Sequence, residues 1–264
     1  MPITPPESNL GFAALSVVGR VRRHNEDAIL CCPLLGLWAV ADGMGGHRRG
    51  EVASALALKT LQALLRRGDD LPTAIHGAHA AIVEAAEADE GSRGMGTTLV
   101  AVRFAGAEFQ LAWVGDSRAY RIGTRGIEQL SHDHSWVQLM IDAGSLSVEE
   151  ARIHPRRNVV TQCLGQAGQA LEVARVQGRL GHGELLLLCS DGLTRELDDA
   201  QIRQICADAS TLDVLVSELV EVANRQGGRD NISCIVLGLP AAVADPVAER
   251  PRSFLEKLLK PAKS

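Results

Sequence analysis

Short apolar runs separated by turn residues form the main pattern of hydrophobic and polar positions along the chain. They are rich in Val, Ile, Leu or Trp, which is typical of β-strands. The runs cover residues 13–18, 28–32, 37–41, 98–104, 109–114, 119–122, 185–189 and 232–239. Their short length and spacing predict sheets as the centre of the fold.

Helical spacing of apolar residues marks four longer segments, at 50–65, 71–88, 199–208 and 212–225. The segment 134–157 differs because its helical pieces are short. Ser147 and Glu150 fit a capping box within it. We interpret 134–157 as an inserted flap over a surface.

The order of these elements favours one fold class. Helices occur in pairs between groups of strands instead of alternating with single strands, which predicts α+β with antiparallel sheets over a doubly wound parallel fold. From residue 241 the chain changes to Ala, Pro and charged residues. We therefore expect one domain over 1–240 and a loosely ordered tail over 241–264, in which a short amphipathic helix for a membrane or a partner stays an alternative.

Composition removes several classes of function. The chain of 264 residues carries a formal net charge of −5 and 3% aromatic residues, so neither charge nor base stacking supports nucleic-acid binding. No apolar run reaches the roughly 20 residues of a transmembrane segment. Residues 1–11 lack a secretory pattern, and the spacing of the six cysteines fits no zinc site, so we expect a cytoplasmic protein with reduced cysteines.

Acidic residues stand at the ends of several predicted strands. Asp42, Asp116 and Asp191 follow apolar runs, whereas Asp27 and Asp230 precede them. Any one of them alone is explained as a turn residue. Five with this placement predict a shared site, whose repulsion hard cations such as Mg²⁺ or Mn²⁺ would neutralise.

Seven motifs in a fixed order resemble one family. They are GRVRRHNED at 19–27, DGMGGH at 42–47, GTT at 96–98, VGDSR at 114–118, NVVT at 158–161, SDG at 190–192 and RDN at 229–231. Together they are similar to the PPM/PP2C family of metal-dependent protein serine/threonine phosphatases, in its compact bacterial form. The resemblance covers residues 13–239 and implies an αββα sandwich of two antiparallel sheets flanked by helix pairs.

The resemblance also implies two core ions, Mn²⁺ or Mg²⁺, and the residues that bind them. Asp42 would bridge the two ions, with a carbonyl from Gly43 and carboxylates from Asp191 and Asp230. Asp116 together with Asp191 would hold a third, weaker ion. The residues that would hold metal-bound waters are Glu26 and Asp27.

Two further roles follow from the same motifs. Arg22 matches the phosphate-binding arginine by its position five residues before Asp27, with Arg20 and Arg23 as alternatives. Some members have a His as general acid at the position of Met44, and methionine cannot donate a proton. His47 and a metal-bound water stay open as the acid.

The implied reaction is hydrolysis of phosphoserine and phosphothreonine monoesters by a metal-activated water or hydroxide. The partners would be phosphorylated proteins, in opposition to a Ser/Thr protein kinase, and the enzyme would act as a monomer. Two alternatives stay open. One is the same chemistry on a dedicated regulator such as a phosphorylated anti-sigma antagonist, and the other is a catalytically dead module that binds phosphoproteins.

Overall fold

The computed structural model describes residues 10–45, 49–89, 92, 94–168 and 170–239. The strands are β1 (Gly11–Val17), β2 (Asp27–Cys32), β3 (Leu37–Met44), β4 (Gly96–Thr97), β5 (Leu99–Ala105), β6 (Glu108–Val114), β7 (Arg118–Gly123), β8 (Gly126–Gln129), β9 (Ala174–Arg179), β10 (Leu185–Cys189) and β11 (Ile232–Gly238). The helices are α1 (Arg49–Arg67), α2 (Leu71–Ala88), α3 (Trp136–Asp142), α4 (Val148–Ile153), α5 (Asp191–Thr194), α6 (Asp199–Asp208) and α7 (Leu212–Gln226).

Two antiparallel sheets form the centre of the molecule. One has the strand order β1-β11-β10-β7-β8, and the other has the order β2-β3-β5-β6-β9 with β4 paired to β3. The pairing of β1 with β11 joins the two ends of the described chain in one sheet. The predicted α+β sandwich of antiparallel sheets is confirmed.

Apolar side chains fill three layers, which explains why the central strands read as continuous apolar runs. In β10, Leu185 and Leu187 pack towards α6 and α7, whereas Leu186 and Leu188 pack between the sheets. Strand β3 alternates in the same way between the inter-sheet layer and the layer under α1 and α2. Strands buried on both faces have no polar face to alternate with.

The helix pairs cover the outer faces, and local sequence signals set where they begin. Asp70 caps α2 through the amide of Thr73, and Thr211 caps α7 through the amide of Val214. Asp198 forms a capping box with Gln201 at the start of α6. Among the described residues, no helix combines the length and apolar character that crossing a membrane requires.

The structure departs from the sequence predictions in three places. Asp42 lies inside β3 and not beyond its end, because the short strand β4 pairs with Gly43 and Met44 and extends β3. The half-exposed strand β9 and the short strand β8 were not predicted.

Helices α3 and α4 occupy the segment of the predicted flap, and the capping box at Ser147 is confirmed. The tail at 241–264 lies outside the described residues.

Candidate metal centre

A pair of facing carboxylates begins the site. Asp27 opens β2 and stands directly opposite Asp42 in β3. Residues opposite each other in an antiparallel pair have Cβ atoms about 5 Å apart, so the two carboxylates face one another. Asp27 Oδ2 accepts hydrogen bonds from Ser190 Oγ at 2.8 Å and Ser233 Oγ at 2.7 Å. These bonds tie the edge of one sheet to the other sheet.

Asp191 and Asp230 enter from the second sheet. Asp191 follows β10 and opens α5, and Asp230 lies just before β11. Their segments pack closely at Gly192, where an added Cβ would lie 1.9 Å from the carbonyl oxygen of Asn231. Only glycine allows this approach, which brings Asp191 close to Asp230.

Asp116 completes the cluster from the turn after β6. Asp116 is 6% exposed and Asp191 is 7% exposed, and the Oδ1 atom of each is buried without a hydrogen-bond partner. Buried carboxylate oxygens without partners are costly. These two oxygens point to a cation as their missing partner.

The carboxyl groups of the cluster repel one another strongly. Burial, with the neighbouring carboxylates, raises the pKa of Asp27 and of Asp191 to about 6 and that of Asp116 to about 8. Burial and the charges of the other four aspartates raise the pKa of Asp42 well above its usual range; these aspartates are Asp27, Asp191, Asp116 and Asp230. A divalent cation would reverse these shifts by stabilising the charged forms.

We expect the stability of the protein in chelator to fall as the pH rises. A raised carboxyl pKa means that the folded protein binds the proton more tightly than the unfolded chain, so this contribution to stability is present near pH 4 and lost through pH 6 to 8. Thermal melts in EDTA should show the melting temperature falling by about 5 °C or more between pH 5 and 8.5.

The control for this pH prediction is Asp116→Asn, which should remove the part of the decline near pH 8. Saturating Mn²⁺ should flatten the profile, because metal ligation requires deprotonated carboxylates. A melting temperature that stays level or rises with pH in EDTA would contradict the arrangement of the cluster.

Two arginines contact the same aspartate. Arg22 forms a bidentate ion pair with Asp230 through its planar guanidinium, with Nε to Oδ1 at 2.8 Å and Nη2 to Oδ2 at 2.8 Å. Arg195 Nη1 donates to Asp230 Oδ2 at 2.8 Å, and Arg195 Nη2 also contacts Asp191 Oδ2. The structure therefore places both Arg22 and Arg195 at the cluster.

Glu26 and Gly43 lie on the side of the cluster that faces α1. The Glu26 carbonyl accepts hydrogen bonds from Ser54 Oγ at 2.6 Å and Gly43 N at 3.2 Å. Its amide donates to Asn231 Oδ1 at 2.8 Å. Gly43 has no room for a side chain, since a Cβ would lie 2.1 Å from the Gly50 carbonyl oxygen.

The base of the predicted flap is joined to the turn that carries Asp116. Gly115 N donates to His134 Nδ1 at 3.2 Å, and Gly115 O accepts from His134 N at 3.0 Å. Arg118 holds Asp133 through Nη2–Oδ2 at 2.7 Å and Nε–Oδ1 at 2.9 Å. The segment after residue 133 is thereby positioned relative to the cluster.

The donor set suits hard divalent cations. Among the described residues it consists of the carboxylates of Asp27, Asp42, Asp116, Asp191 and Asp230, whereas zinc prefers thiolates or imidazoles. In the part of the chain that the structure describes, no three His, Cys, Asp or Glu side chains already stand in a metal-holding arrangement. Arg22 and Arg195 already contact oxygens of Asp230 and Asp191.

Sequence reasoning missed two residues of the site, Arg195 and Asn231. Arg195 stands four residues after Asp191, a spacing that places both on one face of a helical turn and was available as a signal. Asn231 belongs to the RDN motif at 229–231, but its bonds to Glu26 N, Val18 O and His24 O had no sequence signal. His47 lies outside the described residues.

Comparison with known proteins agrees with this fold and site. The profile of the family described as Protein phosphatase 2C matches residues 20–235. The serine/threonine phosphatase stp of Listeria innocua is 37% identical over 232 residues, which cover 83% of this chain and 92% of that protein.

Solved structures give the same result. The crystal structure of the Mycobacterium tuberculosis serine/threonine phosphatase PstP/Ppp is similar with a TM-score of 0.79 and 36% identity, covering 87% of this chain and 98% of that chain. A structure of the PstP catalytic domain in complex with two manganese ions has a TM-score of 0.78 and 34% identity, covering 87% and 97%.

Two antiparallel sheets with flanking helix pairs and an acidic centre where the sheets meet define a class of metal-dependent phosphatases. The chain belongs to the protein phosphatase 2C family. It is a protein serine/threonine phosphatase of the PPM type.

Proposed function

We propose that Asp42, Asp191 and Asp230 hold two Mn²⁺ or Mg²⁺ ions, with Asp42 as the bridge and the Gly43 carbonyl as a further ligand. Asp116 and Asp191 hold a third, weaker ion. The observation that carries the proposal is the meeting of five aspartates from separate segments, with buried oxygens of Asp116 and Asp191 left without partners. Hard oxygen donors of this kind suit these cations.

The chain's own groups prepare the site for a phosphate monoester. When bound, the ions lower the pKa of a water and provide a nucleophile near neutral pH. Asp27, fixed by two serine hydroxyls, and Glu26, fixed through Asn231, orient waters of the metal shell. Asp230 holds the planar guanidinium of Arg22 at the cluster, and the donors of this group suit phosphate oxygens.

The proton for the leaving serine or threonine oxygen has two candidate sources. Met44 cannot supply it, since a thioether carries no acidic proton. His47, in the family motif but outside the described residues, is one candidate, and a metal-bound water is the other. We retain both.

The substrates we propose are phosphoserine and phosphothreonine proteins, dephosphorylated in opposition to a Ser/Thr kinase. The segment 134–157, tied to the Asp116 turn, is the surface that would contact them as a flap. All six cysteines are free, which fits a reducing cytoplasm. We further propose that the phosphatase domain acts as a monomer.

Hydrolysis of a phosphothreonine peptide tests the proposed function. We expect turnover with Mn²⁺ or Mg²⁺, its loss in excess EDTA, and its return when Mn²⁺ is restored in excess. The corresponding phosphotyrosine peptide serves as the control and should be cleaved much more slowly. Turnover that persists in EDTA, or none with any divalent cation, would contradict the proposed chemistry.

Arg22→Ala should raise the KM for a phosphopeptide about tenfold or more while changing kcat less, because it removes a charge-assisted contact to the bound phosphate. Steady-state kinetics with saturating Mn²⁺ measure both constants. Arg23→Ala, one residue away and also exposed, is the matched control. An unchanged KM in Arg22→Ala, with a raised KM in Arg20→Ala or Arg23→Ala, would move the phosphate-binding role to that residue.

A further inference from the structure

Arg195 lies inside the acidic cluster, although no metal-binding motif includes it. Its guanidinium contacts Asp191 Oδ2 with one nitrogen and Asp230 Oδ2 with another, the second at 2.8 Å. The side chain is 27% exposed. One positive charge is thus shared between two carboxylates from different segments.

The contacts of Arg195 leave little of these two carboxylates available. Both oxygens of Asp230 are engaged, since Arg22 takes Oδ1 and Oδ2 and Arg195 also takes Oδ2. Asp191 gives Oδ2 to Arg195, while its Oδ1 is buried without a partner. A cation that binds here has to share Asp191 and Asp230 with Arg195.

We propose that Arg195 is a built-in counter-cation of the cluster, which competes with divalent ions for Asp191 and Asp230 and so sets how much metal the enzyme requires. The inference rests on the proposed metal-binding roles of these two aspartates. The proposed ligands strengthen metal binding, whereas Arg195 would weaken it.

Two physical effects act in the same direction. Before a cation binds, the guanidinium reduces repulsion within the cluster and stabilises the carboxylates. Once the cation is bound, a positive charge remains beside it and repels it. Arginine suits this role because its delocalised charge and fork of donors engage two carboxylates at once.

A rival role for Arg195 is direct contact with the substrate phosphate, as proposed for Arg22. That role predicts a raised KM and no change in metal affinity measured without substrate. Metal binding in the absence of substrate therefore separates the two roles.

The test is a titration of metal-depleted protein with MnCl₂, followed by calorimetry, together with thermal melts in EDTA. Arg195→Met keeps an unbranched stem like that of arginine and removes the guanidinium with its charge. We expect a dissociation constant for Mn²⁺ about tenfold lower than in wild type. In EDTA, the melting temperature of the variant should fall by about 5 °C.

Two companion variants make the result specific. Arg195→Lys keeps the charge but not the fork, so its Mn²⁺ affinity should lie between those of wild type and Arg195→Met. It also keeps the proposal testable if Arg195→Met does not fold in EDTA. Arg225→Met removes a surface arginine paired with Glu218 and Glu221 and should match wild type in Mn²⁺ affinity.

The possible failures are distinguishable. An Mn²⁺ affinity of Arg195→Met within twofold of wild type, or weaker, overturns the competition that we propose, and a raised KM alongside it assigns Arg195 to the substrate. A wild-type protein that binds no Mn²⁺ overturns the ligand assignment itself, and the role of Arg195 with it.

Discussion

Asp42→Asn should lower kcat on a phosphopeptide by about a thousandfold or more at saturating Mn²⁺. Asp42 stands opposite Asp27 in the pairing of β2 with β3, and its carboxyl interacts with the charges of Asp27 and Asp191. Asparagine keeps the shape and removes the charge, so the proposed bridging role would be lost while the packing is preserved. Removing a shared ligand of a two-metal site removes the activation of water.

The same variant should not be less stable in EDTA. The Asp42 carboxylate is buried among like charges that raise its pKa, so its replacement by a neutral amide relieves repulsion. We expect an equal or higher melting temperature in chelator together with lost turnover. Asp213→Asn, an exposed change at the start of α7, is the matched control and should leave turnover unchanged. Turnover of Asp42→Asn within tenfold of wild type would contradict the bridging assignment.

Gly192→Ala should lower the free energy of unfolding by about 3 kcal/mol and strongly reduce turnover. The added Cβ would lie 1.9 Å from the Asn231 carbonyl oxygen, which is backbone and cannot rotate away. Asn231 in turn holds Glu26 N at 2.8 Å and His24 O at 2.9 Å. The displacement therefore reaches the loop that carries Arg22 as well as the spacing of Asp191 and Asp230.

Urea unfolding and steady-state kinetics measure the effect of Gly192→Ala. The matched control is Gly123→Ala, where the added Cβ would meet the Glu184 side chain at 3.2 Å. A side chain can shift where backbone cannot, so this control should stay within about 1 kcal/mol of wild type. Wild-type stability and turnover in Gly192→Ala would mean that the close approach at Asn231 is not required.

The sequence pattern predicted the central strands well. It also singled out the aspartates that the structure brings together. Central strands such as β10 and β11 are buried on both faces, so each forms a continuous run of mostly apolar residues that is easily recognised in the sequence. Strand β9 was missed because its positions alternate between exposed and half-buried and include Arg and Gln. Edge strands of this kind carry a weak apolar signal.

The details of the site depend on contacts that no local pattern encodes. Asp42 was placed beyond its strand because the pairing of β3 with Gly96 and Thr97 comes from a segment more than fifty residues away. Arg195 follows Asp191 by one helical turn, but its contact with Asp230 arises from the packing of α5 against β11. The motifs identify candidate metal ligands. The tertiary fold determines which positively charged groups, such as Arg195, also contact them.

A crystal structure of the protein soaked in MnCl₂, with anomalous diffraction collected at the manganese edge, tests the proposed centre most directly. We predict two strong manganese peaks contacting Asp42, Asp191 and Asp230, with a weaker third peak at Asp116. Manganese peaks that avoid these carboxylates, in crystals where Asp42, Asp191 and Asp230 are well ordered, would contradict the proposed centre.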